Sequence, residues 1–452
     1  MDKVAQIDLL DKNVVPKTHF SFMVRDNTYF VLVLLMIFSY FYNLPVISYS
    51  IKGDNEFRLY DIVGVFIMFV FVANFKFFYY IITKVKVFKW FFYFALWCTL
   101  TILVTLFFSI FKDNINAFIQ SVLYLFHLWV FFVTALMFFI ISFNRNKLNI
   151  FVLFILVLSV ISSILIIMQN FGFVPFLWNA TYKAGYAGFL SGTLGPNKII
   201  TGMYSLMMAA FAIGLLNNKK SGINKLFLIF VVFINLYVLL LSGSRTSYVG
   251  LIIFFAFFAF FKTSRFVFFA TLAGFVFAFL IVTNDTLYSK IDDVISNRVV
   301  SKVENEEDLQ NANVGKLYED LGAGRDNISI GYIKFILNNP EIIPFGLGFN
   351  NRLTRAIAAH NMYLTTIKEL GIVGFVLYFG WLIQYLLIPF KKYGGNELAI
   401  KGLALSMLVT LYFGEHLYIY RPLFATLGMF LLVMTALMSY LHDNEVDTKN
   451  TN

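Results

Sequence analysis

Charge is scarce in this sequence. Asp, Glu, Lys and Arg make up only 13% of its 452 residues, against 60% hydrophobic and 19% aromatic residues. A soluble domain carries about 25% charged residues, so a chain this apolar cannot cover a water-facing surface. That excludes an ordinary soluble protein and makes lipid the solvent for much of the chain. Cysteine is nearly absent too. A single thiol, Cys98, rules out a disulfide within the chain and any cysteine-based metal site. It lies inside an apolar run and reads as a packing residue. No cleavable leader is evident. The first 27 residues, MDKVAQIDLLDKNVVPKTHFSFMVRDN, are polar and mixed in charge, without a short apolar core and cleavage site after them. The first apolar run is therefore expected to stay as a membrane anchor.

What is present is a series of apolar runs. A helix needs roughly 20 apolar residues to cross about 30 Å of hydrocarbon. Twelve stretches qualify as spans: about 29–48, 59–75, 90–111, 117–142, 149–168, 198–216, 226–241, 248–261, 266–283, 371–390, 400–417 and 422–441. The seventh and eighth are separated only by SGSRTS. The net charge of +10 could suggest nucleic acid, but the Lys and Arg concentrate in short loops, where they set topology. With the N-terminus inside, those loops hold Lys76, Lys84, Lys86 and Lys89, then Arg145 and Lys147, then Lys219, Lys220 and Lys225. Lys262 and Arg265, and then Lys391, Lys392 and Lys401, complete the set, with Glu397 as its one acidic residue.

The expected fold class is thus an all-α polytopic membrane protein of about 12 transmembrane helices with both termini cytoplasmic. It divides into a tail over 1–28, helices over 29–283, a large external loop over 284–359 containing short helices, helices over 360–441, and a tail over 442–452. A second external loop, 169–197, is rich in Gly and aromatic residues.

Where the long loop returns to the membrane the sequence reads AAHNMYLTTIKELGIVGF, residues 358–375. If a helix starts near His360, then Leu364, Ile367, Gly371 and Gly374 follow within about 40° on its side. The two glycines would let another helix pack closely. An interfacial histidine at a helix start, with Asn361 at a capping position, would account for the polar residues equally well.

The pattern is more specific than composition. His360-Asn361, nine residues, then Gly371-Ile372-Val373-Gly374 matches the signature H-[NSQ]-x9-G-x-x-[GTY]. Three other stretches agree with it: GTLGPNKIITGMYSL (192–206), LSGSRTSYVG (241–250) and LGAGRDNISIGYIKFILNNPEIIPFGLGFNN (321–351). Together, roughly residues 185–390 resemble the O-antigen ligase and O-antigen/capsule polymerase family of bacterial membrane glycosyltransferases. The signature does not separate polymerase from ligase.

The resemblance implies a donor glycan carried on undecaprenyl diphosphate and transfer at the outer face of the bacterial cytoplasmic membrane, with inversion of the anomeric centre. Such chemistry must stabilise a leaving diphosphate and deprotonate an acceptor hydroxyl. Arginine suits the first task, because its planar fork binds phosphate oxygens and stays charged near lipid. The candidates are Arg245 and Arg325, with Arg352 and Arg355 just before His360. Snorkelling would also explain Arg245, and a solvated loop charge Arg325. Histidine suits the second task, since its ordinary pKa of about 6.5 lets it take a proton near neutrality. By resemblance His360 is the catalytic candidate, either as that base or as a hydrogen-bond partner of a phosphate oxygen.

Asn361 and Asn197 are supporting candidates. So are Glu415 and Arg421 in YFGEHLYIYRP (412–422), which an ion pair holding two helices would also explain. Asp54 and Glu56 in SIKGDNEFR could reach a divalent ion, but surface solvation accounts for them, and neither a metal nor a cofactor is expected. The leading function is a repeat-unit polymerase for O-antigen, capsule or exopolysaccharide. The alternative is a ligase that moves polymer onto lipid A-core. A flippase or transporter is the rival class, but it would want charged groups near the bilayer midplane, whereas here they cluster at the outer interface. The expected partners are the lipid-linked oligosaccharide and membrane lipid, with a chain-length regulator as a further candidate and no nucleic acid.

Overall fold

A computed structural model describes residues 26–48, 56–178, 191–216, 218, 221–261, 325–351, 353, 359–389, 394–418 and 425–449. Thirteen α-helices stand among them, in the order α1 (Asp26–Phe41), α2 (Leu59–Ala73), α3 (Phe75–Lys84), α4 (Lys86–Phe111), α5 (Ile115–Ile141), α6 (Arg145–Asn170) and α7 (Lys198–Leu216). Then come α8 (Lys225–Leu241), α9 (Arg245–Phe261), α10 (Arg325–Asn338), α11 (Met362–Leu386), α12 (Gly395–Thr410) and α13 (Thr426–Lys449).

Five of these, α4, α5, α6, α7 and α11, are long and apolar enough to cross a membrane. The pair α2 and α3, bent by 86° at a break, makes a sixth if it is one span. The molecule is therefore a mostly helical membrane protein with five to six full-length span candidates among the described residues. Other stretches expected as spans are helical but shorter: α8 and α9 have 17 residues each, about 25 Å of helix against about 30 Å of hydrocarbon. The expected span 266–283 lies outside the described residues.

Three boundaries differ from expectation. The run 29–48 leaves the helix after Phe41, because Pro45 cannot continue it. Pro45–Ser48 forms β1 instead, antiparallel to β2 (Glu56–Arg58), so the chain is not purely helical. The helix expected over 371–390 begins at Met362, as its polar first turns are buried and hydrogen-bonded rather than left in a loop. The run 400–417 ends at Thr410, and Glu415 and His416 sit in the turn before α13.

Burial divides the helices by position. Nearly every residue of α7 from Ile200 to Leu215 is buried, which puts it at the centre. In contrast α4 exposes Leu100, Leu103, Phe107 and Phe111 along one side, a face suited to lipid. Close approach of the central helices uses small residues. A Cβ on Gly202 of α7 would lie 2.2 Å from Ser247 Oγ of α9, and one on Gly250 of α9 would lie 3.1 Å from the Thr410 methyl at the end of α12.

These contacts define one end of the bundle. The α7 and α9 starts meet there, and so do α12 and α11, because the Met362 N–H donates to the Leu411 carbonyl at 2.9 Å. The end of α1 joins them, with the Asn43 N–H donating to the Thr193 carbonyl at 2.9 Å.

Candidate functional site

The centre of the site is a break in α11. Gly371 adopts φ 67 and ψ −171 and splits the helix in two. A break frees carbonyls, and inside a membrane protein each orphan would cost several kcal/mol. Here they are taken up. The Lys368 carbonyl accepts the Leu347 N–H at 2.9 Å, and the Glu369 carbonyl accepts the Gly348 N–H at 2.8 Å. The Leu370 carbonyl accepts Trp97 Nε1 of α4 at 2.8 Å. In return the Ile372 N–H donates to the Ile343 carbonyl at 2.7 Å.

Only glycine fits this junction. Gly346 has φ +77, and a Cβ there would stand 2.4 Å from the Glu369 carbonyl; a Cβ on Gly371 would stand 2.4 Å from the Pro344 carbonyl. The Gly-x-Gly turn and the signature glycine are thus two halves of one backbone junction. This corrects the reading of Gly371 as a helix-packing glycine on a continuous face with His360. Gly374 does pack against a helix, with its hypothetical Cβ 3.1 Å from Trp97 of α4.

Two ionisable residues hold the turn in place, and neither was assigned a role from the sequence. Glu369 Oε2 accepts the Asn350 N–H at 3.0 Å and the Tyr418 hydroxyl at 2.7 Å. Lys368 Nζ donates to the Asn351 carbonyl at 2.7 Å. Both are buried. The available signal was their presence in an otherwise apolar helix, where charge is costly and tends to be used.

At the start of α11, Asn361 is the cap, its side-chain oxygen accepting the N–H groups of Tyr363 and Leu364 at 2.9 and 3.3 Å. His360, half-buried, precedes it in the left-handed region at φ 52. One turn into the helix, the Thr365 hydroxyl donates to Glu415 Oε1. Glu415 is buried, and its other oxygen has no hydrogen-bond partner among the described residues. Beside it, His416 Nε2 lies 3.0 Å from Thr410 Oγ1. Burial pushes the pKa of this imidazole down to about 3, so the ring is neutral.

Arg245 is exposed at the first position of α9. The turn before it places Gly243 at φ +59, and Ser244 Oγ accepts the Ser247 N–H at 3.4 Å. Asn197 begins α7 in the same way, accepting the Ile199 N–H at 2.8 Å. The segments carrying Asn197, Arg245, His360, Asn361 and Glu415 therefore share one end of the bundle. Arg325 begins α10, but its side chain lies outside the described residues, as do Arg352, Arg355, Arg421 and Asp54. Among the described residues, no group of three or more His, Cys, Asp and Glu is placed to hold a metal ion.

Residues 229–379 match the family model described as O-antigen ligase. Over this segment, residues 229–379, the chain is similar to the O-antigen ligase family. Neither the comparison with curated proteins nor that with solved structures returned a match. The matched segment runs from α8 to the second half of α11. It takes in Arg245, the Gly-x-Gly turn, His360, Asn361 and the break at Gly371. Asn197 and the α12–α13 turn with Glu415 lie outside that segment but pack against its helices.

Proposed function

We propose that this protein is a polysaccharide repeat-unit polymerase at the outer face of the bacterial cytoplasmic membrane. It moves a growing glycan from undecaprenyl diphosphate to a lipid-linked repeat unit, without metal or cofactor. Members of the family that residues 229–379 match are glycosyltransferase-like enzymes. The observation that carries the reading is the family signature set at the capped start of α11, at the end of the bundle where Arg245 opens α9.

The diphosphate is the charged part of such a donor. Helix starts favour anions, through the partial positive charge of the N-terminus, and α7, α9 and α11 all start at this end. Arg245, with Arg325, Arg352 and Arg355, supplies full charge and bidentate hydrogen bonds to phosphate oxygens. His360 meets the reacting centre, either as the proton acceptor for the attacking hydroxyl or as a hydrogen-bond donor to the leaving diphosphate. The acceptor oxygen attacks the anomeric carbon opposite the diphosphate, so the centre inverts. Asn361 fixes the helix start on which His360 stands.

Purified protein given a defined lipid-diphosphate oligosaccharide, with a chelator present, tests this directly. A ladder of lengthened glycans is expected, and none from His360→Ala. Movement of the lipid-linked glycan across liposomes without lengthening would instead favour a flippase. The family description favours the ligase as the second reading. Surface glycan from a deletion strain separates the two, since loss of a polymerase leaves single repeats and loss of a ligase leaves polymer on the carrier.

A further inference from the structure

The end of the bundle opposite the site carries a short helix set across the others. α1 runs from that far end to the site end, where Asn43 meets Thr193. The β1–β2 hairpin turns the chain there, so α2 runs back from Leu59 and finishes at the far end. After Asn74 the chain bends by 86° into α3. The Phe78 ring lies 6.5 Å from that of Tyr29 near the start of α1, so α3 stands at the far end. A helix nearly perpendicular to a spanning one lies in the plane of the membrane surface.

α3 has two faces. Phe78, Ile81 and Ile82 are buried against the bundle. The exposed face carries two rows at four-residue spacing. One holds Phe75, Tyr79 and Thr83, and the other Lys76, Tyr80 and Lys84. Phe75 and Tyr79 stack at 5.8 Å, and Lys84 Nζ stands 5.5 Å over the Tyr80 ring. Lys86 and Lys89, exposed at the start of α4, extend the charge. Between Asp61 and Asp113 the sequence has no acidic residue. Among the described residues none of the four lysines is ion-paired. Solvation alone would explain the lysines but not the three exposed rings among them. Rings and lysines on one face suit the boundary between acyl chains and headgroups. The charge then selects the lipid, because basic clusters of this size hold anionic headgroups.

We propose that α3, with Lys86 and Lys89, is a docking surface for anionic lipid headgroups in the leaflet opposite the candidate site. The three rings enter the boundary region, and the four ammonium groups meet lipid phosphates. The surface serves this role whatever reaction the other end of the bundle carries out.

The test uses full-length Thr83→Cys protein in liposomes. Cys98 is buried, so a fluorophore labels position 83. Quenching by spin-labelled phosphatidylglycerol is compared with quenching by spin-labelled phosphatidylcholine. Phosphatidylglycerol is expected to quench at a mole fraction at least about tenfold lower. In the variant Lys76→Gln/Lys84→Gln/Lys86→Gln/Lys89→Gln the two lipids are expected to quench alike. Lys334→Gln, on exposed Lys334 of α10, is expected to keep the preference. A label that neither lipid quenches places α3 in water and overturns the proposal. Equal quenching in the protein with all four lysines overturns it too, as does a preference that survives their replacement. If the fourfold variant melts early, salt decides on the protein with its lysines intact. A preference lost as salt is raised supports the surface, and one that persists overturns it.

Discussion

Gly348 donates its backbone N–H to the carbonyl of Glu369 at 2.8 Å, closing a gap that Gly371 opens in α11. A turn from the long loop thus becomes part of the wall of a helix. Phe349 and His360 consequently stand at opposite ends of the first half of α11.

Substitution at this junction should be severe. Gly346→Ala and Gly371→Ala each combine a left-handed backbone with a Cβ about as close as 2.4 Å to backbone atoms. Left-handed strain costs roughly 1–2 kcal/mol, and the overlap adds to it. Both variants are expected to show a lowered melting temperature and to lose activity. Gly394→Ala, where a Cβ would meet nothing within 4 Å, should match wild type in both measurements.

The clamp residues should behave as a coupled set. Tyr418→Phe removes one donor to Glu369, and Glu369→Gln weakens the acceptor. Each is expected to cost about 1–3 kcal/mol. A double-mutant cycle read by thermal denaturation should give a combined loss smaller than the sum of the two, because both changes act on the same bond. Additive losses would mean that the 2.7 Å contact contributes little.

The signature residues should separate chemistry from folding. His360→Ala, Arg245→Ala and Arg325→Ala are each expected to abolish chain extension in a glycan gel while the protein still reaches the membrane. Lys334→Ala, exposed on α10, should leave the ladder unchanged. Asn361→Ala should instead cost about 1 kcal/mol through loss of the cap, visible as a small drop in melting temperature.

Acid should weaken the fold through His416. Burial lowers its pKa from 6.5 to about 3, so between those values the unfolded chain binds a proton that the folded chain refuses. The contribution is fully present above about pH 6.5 and is lost progressively as pH falls toward 3. Melting temperature is expected to decline across that window, and less steeply in His416→Gln.

Much of the helical arrangement could be read from hydropathy, because runs such as 90–111 and 117–142 are apolar throughout. The errors came where polar groups are buried. Lys368, Glu369 and the two threonines before them lower the hydropathy of a true helix, so its apolar run begins only at 371 although the helix starts at Met362. Pro45 marked the end of α1 but was outweighed by Val46 and Ile47, which the β-hairpin uses instead. The signature located His360 and Asn361 by pattern, and the cap at Asn361 is found in place. The break at Gly371 was not legible, since its partners lie more than twenty residues earlier and across on α4. The buried contact between Asp61 of α2 and His127 of α5 was invisible for the same reason: the residues are 66 positions apart, and no local pattern joins them.

The indole of Trp97 finds its carbonyl 273 residues later, at Leu370. During synthesis α4 therefore emerges long before the chain that covers it exists. The first half of the protein must wait in the bilayer as an unfinished receptacle, and it closes only when the ribosome delivers the Gly-x-Gly turn and the broken helix together. A nascent chain stopped before that point would leave this groove open, a form suited to recognition by membrane quality control.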